Sequence, residues 1–378
     1  MLTLSGCYLS HGRDGDPPAH PPPRRRDAAA DGRSTRPDRA LPDAPTTTSP
    51  DAPFDSADGA MERECTSPVG VDLLLVLDDS GSTRPEDSVL LDRVTRLVQR
   101  LARPPDDDDD GVEDWARVDD MHIGIVNTSV QGTDFCAETL DGALRRGEGA
   151  AHLECLAAPY PPYQAYEDGD NIPALTHDLA CVAFGPRTGC QVEQPLEAMA
   201  KALLPSDSPF TFIAGRAHGD TDNAGFLRPD SVLAVIVFTD EDDCSVRDTS
   251  IFEPPPAPDA GPRPWPPGWP PPREGAPGCE GAPWGLYDVE RYVEVLDYLR
   301  PEHPERALFT FVGGIIPAFT TDLNSVNTSC FRADFPRRVV ELARLLPSRA
   351  AGGSWCSLGE IAFVQGLAEM IGAAACTD

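Results

Sequence analysis

Continuous apolar runs alternate along this chain with segments in which apolar residues recur every three or four positions. The continuous runs are typical of strands buried on both faces of a sheet, and the periodic segments are typical of amphipathic helices packed against it. The predicted strands are Val71–Leu77, Met121–Thr128, Val232–Thr239 and Ala307–Ile316. The first predicted helix begins near Thr83. Four more are predicted over Glu193–Leu204, Tyr287–Leu299, Phe335–Leu346 and Leu358–Ala374. The alternation predicts an α/β fold with a doubly wound, mainly parallel sheet flanked by helices.

Three segments lack both patterns. Residues 8–62 are rich in Pro, Asp, Arg, Ala and Thr, which predicts a disordered linker. Residues 132–189 and 252–277 predict two insertions into the folded part, and the second is so rich in proline that it cannot pair into a sheet. We therefore expect a single domain over residues 63–378, carried on a flexible tether.

The charge of the chain limits the classes of partner. The formal net charge is −31, and 41 prolines accompany it. A protein this acidic repels the phosphate backbone, so we expect no nucleic acid partner, whereas cation binding is favoured. No apolar run approaches the roughly 20 residues needed to span a bilayer, so we expect no transmembrane anchor.

The cysteines indicate an exported protein. Eleven cysteines without a CxxC pair are typical of a disulfide-braced chain in an oxidising compartment. Cys7 stands apart, because Leu4-Ser5-Gly6-Cys7 resembles a bacterial lipobox whose cysteine is lipidated. Residues 1–7 would then be the remnant of a signal peptide, and the true start of translation would lie upstream. A chance match, with export by another route, is the alternative.

The stretch LLLVLDDSGST joins a predicted strand to acids and hydroxyls. Asp78, Ser80 and Ser82 alternate, so their oxygens can point to one side as the chain leaves the strand. One carboxylate and two hydroxyls form a partial shell for a hard cation that takes about six oxygen ligands. The stretch therefore predicts a cation site at the carboxyl end of the first strand.

LLLVLDDSGST also resembles the first strand and metal loop of von Willebrand factor type A (VWA) domains, whose metal-ion-dependent adhesion site (MIDAS) begins Asp-x-Ser-Gly-Ser. The strand Val232–Thr239, followed by Asp240, is similar to the later VWA strand that ends in Thr-Asp. The resemblance covers about Cys65 to Cys376. It implies a Rossmann-like fold and a bound Mg²⁺ or Ca²⁺ held by Asp78, Ser80, Ser82 and Asp240. It also implies recognition of a protein or polysaccharide partner whose carboxylate completes the metal shell.

The second VWA metal loop departs from the family pattern. That loop normally places a threonine five residues before an Ala-Leu pair, and counting back from Ala198 gives Glu193 instead. Either Glu193 replaces the hydroxyl or Thr188 reaches in from a shifted loop. A third carboxylate would favour tight cation binding, and Ca²⁺ over Mg²⁺, while making the ion less attractive to a ligand carboxylate.

Two further acidic runs have competing interpretations. Glu241–Asp243 is interpreted as a solvated charged turn. The run Asp106–Asp114 fits a short calcium loop of the thrombospondin kind, although the twelfth position is Arg117 where an EF-hand has glutamate. The ligands of this possible second site would be Asp106, Asp108, Asp110 and Asp114. A solvated loop is the alternative.

Catalysis is not expected. The chain has no G-x-S-x-G, HExxH or P-loop motif, and a haloacid dehalogenase phosphohydrolase needs Asp-x-Asp where this chain has adjacent acids. The strand with TDEDDCS and the GCxxEQPLEA helix also resemble cysteine-rich secreted VWA proteins of predatory bacteria. The sequence thus predicts an adhesion module on a surface or outer-membrane lipoprotein. A scaffold protein with a purely structural cation is the alternative.

The sequence does not fix the disulfide connectivity. Pairing each cysteine with its nearest neighbour predicts four bridges, and the two remaining cysteines would then join the ends of the domain. The predicted pairs are Cys136–Cys155, Cys181–Cys190, Cys244–Cys279, Cys330–Cys356 and Cys65–Cys376.

Overall fold

The structure is a computed structural model that describes residues 68–79, 87–106, 109, 111–131, 139–147, 155, 159–183, 192–252, 283–313, 319–320, 336–354 and 361–376. The chain divides after Glu62, and every described residue belongs to the unit Arg63–Asp378. The predicted linker over residues 8–62, Cys7 and most of the proline-rich insertion lie outside the described residues.

Seven strands and six α-helices are formed by the described residues. The strands are β1 (Val71–Leu77), β2 (Asp120–Asn127), β3 (Tyr163–Glu167), β4 (Val232–Phe238), β5 (Ala307–Gly313), β6 (Phe319–Thr320) and β7 (Ala350–Ser354). The helices are α1 (Asp87–Ala102), α2 (Ile172–Ala183), α3 (Pro195–Leu203), α4 (Glu290–Leu299), α5 (Arg337–Leu345) and α6 (Ile361–Ala375). Three short 3₁₀ turns cover Thr249–Phe252, Pro283–Gly285 and Pro304–Arg306.

All seven strands join in one sheet with the order β3-β2-β1-β4-β5-β7-β6. The pairs β1–β2, β1–β4, β4–β5 and β5–β7 are parallel, whereas the edge strands β3 and β6 are antiparallel to their neighbours. Every residue of β1, β4 and β5 is buried. These strands are almost entirely apolar because helices cover both faces of the sheet, and the exceptions are Asp72 and Thr310.

Two apolar layers sandwich the sheet. Alternate strand side chains such as Leu73 and Leu75 point into one layer with α1, α2 and α6. Their neighbours Leu74 and Val76 point into the other layer with α3, α4 and α5. The sheet is therefore doubly wound and mainly parallel, which confirms the predicted fold class.

Strand β1 lies at the point where the chain order reverses. Its neighbour β2 continues the chain on one side, and β4 flanks it on the other. In such sheets the crevice that binds ligands opens beyond the carboxyl ends of the strands at this switch point. Asp78, the first residue after β1, lies there, and its backbone N–H donates to Phe238 O over 3.0 Å.

The insertion predicted over residues 132–189 holds more regular structure than expected, because it contains β3 and α2. Within it, Cys155 and Cys181 form a disulfide with a Cα–Cα distance of 5.7 Å. The predicted pairs Cys136–Cys155 and Cys181–Cys190 are therefore wrong. Nearest-neighbour pairing ignored α2, which buries Cys181 in the core layer, where Cys155 also packs.

The other predicted bridges involve residues outside the described ranges. Cys244 and Cys376 are both disulfide-bonded. The Val69 N–H donates to Ala375 O over 3.0 Å, so the two ends of the domain meet. That proximity is compatible with a Cys65–Cys376 bridge, which stays a prediction, as do Cys244–Cys279 and Cys330–Cys356. No described helix is long and apolar enough to cross a membrane.

Candidate metal centre

Asp78 is buried at the carboxyl end of β1, as its place in the sequence predicted. One of its carboxylate oxygens, Oδ2, lies 3.1 Å from the hydroxyl of Thr239, the residue that follows β4. The same hydroxyl accepts the N–H of Glu241 over 3.1 Å. Thr239 thereby joins the ends of β1 and β4 and holds the Asp78 carboxylate at the switch point.

Asp79 points to a different set of partners. Its Oδ2 accepts the side-chain amide N–H of Asn127 over 2.9 Å, and its Oδ1 accepts the Ser129 hydroxyl over 3.2 Å. The guanidinium of Arg145 lies 3.9 Å from the same carboxylate. This second acid therefore ties β1 to the loop after β2, whereas Asp78 contacts the residue after β4.

Glu193 is buried just before α3, with 1% of its surface exposed. The Thr128 hydroxyl donates to its Oε2, while its Oε1 is buried and has no hydrogen-bond partner among the described residues. Burial, and then the charges of Asp78, Asp79 and Glu241, raise the pKa of Glu193 well above its usual range, although the Thr128 hydrogen bond opposes the shift. A buried carboxylate oxygen without a partner is costly, so this atom has the environment of a cation ligand.

Backbone hydrogen bonds fix Glu193 in this position. The N–H of the next residue, Gln194, donates to Thr128 O over 3.0 Å. The N–H of Cys244 donates to Glu193 O over 2.7 Å, and the N–H of Val246 donates to Gln194 Oε1 over 3.0 Å. The loops after β2, before α3 and after β4 are thus joined around the carboxylate, and the site is preorganised.

Asp243 reinforces the same junction from the loop after β4. Its Oδ1 accepts the N–H of Leu196 over 3.1 Å and the Ser245 hydroxyl over 2.6 Å. Its Oδ2 accepts the Nε–H of Arg338 over 3.0 Å. The carboxylate therefore lies at the N-terminus of α3, where it satisfies a free N–H and interacts favourably with the helix dipole.

The interpretation of Glu241–Asp243 as a solvated turn is wrong for Asp243, which is 1% exposed. Its partner Arg338 is 95 residues away in sequence, so no local pattern indicated the pair. Asp242 accepts the Arg338 backbone N–H over 2.9 Å, and burial raises its pKa to about 7.

The remaining predicted ligands are only partly described. Asp240 is half-buried directly after Thr239, whereas Ser80, Ser82 and Thr188 lie outside the described residues. Within the described ranges, no group of three or more His, Cys, Asp or Glu side chains is arranged to hold a metal ion. Asp78, Glu193 and Asp240 are all described, so the structure does not arrange these three carboxylates together as a metal-binding group.

The predicted second calcium loop is exposed where it is described. Asp106 Oδ2 accepts the N–H of Gly111 over 3.0 Å, and Asp114 is also exposed. Asp108 and Asp110 lie outside the described residues. The Asp106 contact belongs to a turn and would form with or without a cation, so the choice between a calcium loop and a solvated loop stays open.

Sequence reasoning missed two hydroxyls of the centre, those of Thr128 and Thr239. Both threonines are fully buried at the ends of β2 and β4, the two parallel strands that flank β1. A signal was present, because each predicted strand ended on a threonine beside the switch point. Each was interpreted as the last strand residue, although its backbone lies one position beyond the ladder.

The donor set fits a hard divalent cation. Asp78 and Glu193 contribute carboxylate oxygens, the Thr128 and Thr239 hydroxyls lie against them, and Asp240 follows in the adjoining loop. Oxygen-only sets of this kind suit Mg²⁺ and Ca²⁺. The partnerless Oε1 of Glu193 is the observation that favours a bound ion over a purely structural cluster.

Neither a family model nor a curated protein sequence matches this chain. Among solved structures, proximal thread matrix protein 1 (PTMP1) from the mussel byssus, crystal form 2, is similar with 12% identity and a TM-score of 0.36, covering 82% of this chain and 49% of that one. PTMP1 with a zinc-occupied MIDAS motif is similar with 13% identity, a TM-score of 0.35, and coverage of 82% of this chain and 49% of that one.

The pilus adhesin SpaC from Lactobacillus rhamnosus GG, in an open conformation, is similar with 11% identity and a TM-score of 0.35, covering 81% of this chain and 30% of that one. This chain therefore spans less than half the length of these structures. At these identities and TM-scores, the similarity carries no conclusion about this chain.

Proposed function

We propose that this chain is a divalent-cation-dependent binding module of the VWA type, which recognises a protein or polysaccharide partner. Asp78, Ser80, Ser82 and Asp240 would hold Mg²⁺ or Ca²⁺, with Glu193 or Thr188 completing the shell. A bound cation would supply an electrophilic centre for an oxygen of the partner. The observation that carries the proposal is the buried Oε1 of Glu193 at the switch point of the sheet, for which the described residues provide no hydrogen-bond partner.

Calorimetry of the chelator-treated protein with Ca²⁺ and with Mg²⁺ tests the metal site. We expect one binding event in the wild type and none in Asp78→Ala, because that change removes a ligand from the end of β1. The matched control is Asp207→Ala, which removes an exposed carboxylate from the loop after α3 and should leave the isotherm unchanged. Equal isotherms for wild type and Asp78→Ala would remove the metal-site proposal.

A structural scaffold with a purely structural cation is the competing function. The two are separated by a pull-down from surface extracts with and without EDTA. A binding module loses its partner when the cation is removed, whereas a scaffold that binds metal keeps the same partners.

We infer that the protein is exported and held at the cell envelope through a lipid on Cys7. The Cys155–Cys181 disulfide and the bonded state of Cys244 and Cys376 support an oxidising compartment. Mass spectrometry of the native N-terminus tests the anchor. We expect a diacylglyceryl-modified Cys7, and an unmodified Cys7 would contradict it.

A further inference from the structure

We propose that His218 is a pH-dependent switch on the surface segment 210–218, which covers the buried Lys201 while the imidazole is protonated and opens when the proton is lost. The segment, called the cover segment below, lies between α3 and β4. The imidazole lies between two carboxylates, those of Asp141 and Asp222. The inference does not depend on the proposed function, because none of these residues belongs to the proposed metal shell.

Lys201 is the one lysine of the sequence, and it is fully buried on α3. Its ammonium group donates to the Asp141 carboxylate and, over 2.8 Å, to Ala214 O of the cover segment. The ring of Phe212, in the same segment, lies over the ammonium nitrogen at 5.4 Å from the ring centroid. The cover segment therefore lies directly on the ion pair and excludes solvent from it.

His218 ends the cover segment, and its two ring nitrogens face different acids. Nδ1 lies 2.7 Å from Asp222 Oδ2. Nε2 lies 3.9 Å from Asp141 Oδ2, is buried, and has no hydrogen-bond partner among the described residues. A neutral imidazole carries a single N–H, so a ring that donates to Asp222 turns a lone pair toward Asp141. The imidazolium directs an N–H toward both acids, so this position favours the protonated ring.

Charged groups of three elements meet at the ring. Asp141 follows β2, Asp222 belongs to the same loop as His218, and Lys201 of α3 offsets part of the Asp141 charge. Two exposed neighbours in the loop interact with each other, namely Arg216 and Asp220. The attraction of Asp141, and then that of Asp222, raise the pKa of His218 above its ordinary value, although burial opposes the shift.

The direction of the switch follows from this environment. A group whose pKa is higher in the folded than in the unfolded chain stabilises the fold fully below its unfolded pKa. That stabilisation is lost as pH rises through the folded value. The ends of the cover segment keep other bonds, because the His218 backbone N–H donates to Lys201 O over 2.7 Å and Arg291 donates to Thr211 O over 2.8 Å. Loss of the proton should therefore open the segment locally, without unfolding the domain.

The test measures how fast an acetylating reagent modifies Lys201 in the disulfide-intact full chain at about pH 6 and at about pH 9. Peptide mapping locates the label, and every modified lysine ε-amine reports this position. The rate for free Nα-acetyl-lysine, divided by the rate for the protein at the same pH, gives the protection of the buried amine. We expect protection in the wild type to fall by at least about threefold from the lower to the higher pH.

Two variants tie the change to the imidazole. His218→Gln lacks the titrating proton, so we expect low protection of Lys201 at both pH values. Asp222→Asn removes a carboxylate that favours the protonated ring, so protection should be lost at a lower pH than in the wild type. This second variant covers the case in which the first does not fold. The matched control is His303→Gln, which removes an imidazole 2.9 Å from Glu305 on the exposed surface and should behave as the wild type.

Circular dichroism at both pH values checks that each protein is folded. Equal protection of Lys201 at the two pH values in the wild type would overturn the inference. So would a pH dependence that His218→Gln retains in full. Either result would leave the metal-site proposal as it stands, because that proposal is tested by cation binding.

Discussion

Buried carboxylates lie at both ends of strand β1, and the hydrogen-bond partners around the two ends differ. At the amino end, Asp72 is fully buried and accepts the backbone N–H of Arg228 over 2.6 Å and its Nε–H over 2.8 Å. The Ser231 hydroxyl donates to the same carboxylate. At the carboxyl end, the charge of Asp78 acts on Glu193, whose Oε1 has no hydrogen-bond partner in the part of the chain that the structure describes.

The difference separates a carboxylate of the fold from a carboxylate of a site. The acid at the amino end is neutralised from within the chain, and so is Asp141, which accepts a hydrogen bond from the fully buried Lys201. Within the described part of the chain, Glu193 has no such partner at its Oε1, so a proton or a bound cation has to compensate its charge. A buried acid with an internal cation stabilises the fold, whereas one without it costs stability until a ligand arrives.

The largest expected effect is at the amino end. Arg228→Ala leaves Asp72 buried without its cation, so we expect the free energy of unfolding to fall by about 3–5 kcal/mol. Urea denaturation followed by circular dichroism measures it. Arg117→Ala is the control, because Arg117 pairs with Glu113 on the exposed surface over 2.9 Å. We expect that control to change stability by less than about 0.5 kcal/mol. Equal losses of unfolding free energy in the two variants would show that the buried pair of Arg228 and Asp72 contributes no more than the exposed pair.

This contrast also explains what the sequence could predict. The fold was predicted because β1 and β4 are continuous apolar runs, and Asp78 was predicted because its motif is local. The pair of Asp72 and Arg228 is 156 residues apart in sequence, and long-range partners leave no local pattern. Glu193 was found by counting from Ala198, but its burial depends on Thr128 at the end of β2, which spacing does not reveal.

The edges of the fold were harder to predict for another reason. Strand β3 is five residues long with alternating burial, and α2 begins five residues after it. Both lie in a cysteine-bearing insertion between strands β2 and β4 of the core, where composition suggested irregular structure. The resulting error in the Cys155–Cys181 pairing arose because a helix brings distant cysteines together.

Glu197 is a buried acid with only partial compensation of its charge, and we expect this to make the free energy of unfolding depend on pH. Its Oε2 accepts the Tyr292 hydroxyl over 2.9 Å, but Arg291 lies 3.5 Å from Oε1, and burial raises the pKa of Glu197 from 4.5 to about 7. Between these two values the folded protein holds a proton that the unfolded chain has lost. The free energy of unfolding therefore falls as pH rises through this window and is level above it.

Comparing wild type with Glu197→Gln isolates the contribution of Glu197 to the pH dependence of the free energy of unfolding. In the presence of EDTA, we expect the wild type to lose up to about 3 kcal/mol relative to the variant between pH 4.5 and pH 7.5. Asp242, whose pKa is also raised to about 7, contributes to both proteins and cancels in the difference. Urea denaturation at several pH values provides the measurement. If the difference in unfolding free energy between the two proteins stayed constant over this pH range, Glu197 would be as fully compensated as Asp72 and Asp141.

At the carboxyl end of β1, we expect a substitution to raise the free energy of unfolding, whereas Arg228→Ala at the amino end lowers it. Glu193→Gln removes the carboxylate that has no internal cation, so we expect the metal-free protein to gain about 1–2 kcal/mol at pH 8. Thermal unfolding in EDTA measures it. Adding Ca²⁺ should then stabilise the wild type by about 2.7 kcal/mol at a hundredfold excess over Kd, and the variant by less. A variant that is less stable than wild type in EDTA would show that Glu193 belongs to the fold.

The smallest expected effect concerns the hydroxyl that supports Asp78. Thr239→Val keeps the shape of the side chain but removes the hydrogen bond to Asp78 Oδ2, so we expect a loss of about 1 kcal/mol in stability. Thr176→Val is the matched control, because the Thr176 hydroxyl donates to Pro173 O over 3.1 Å on α2, in the opposite layer to α3. Both variants should lose similar stability, but only Thr239→Val should weaken Ca²⁺ binding in calorimetry. Equal Ca²⁺ affinity in both variants would mean that Thr239 stabilises the fold but does not orient the Asp78 carboxylate for the ion.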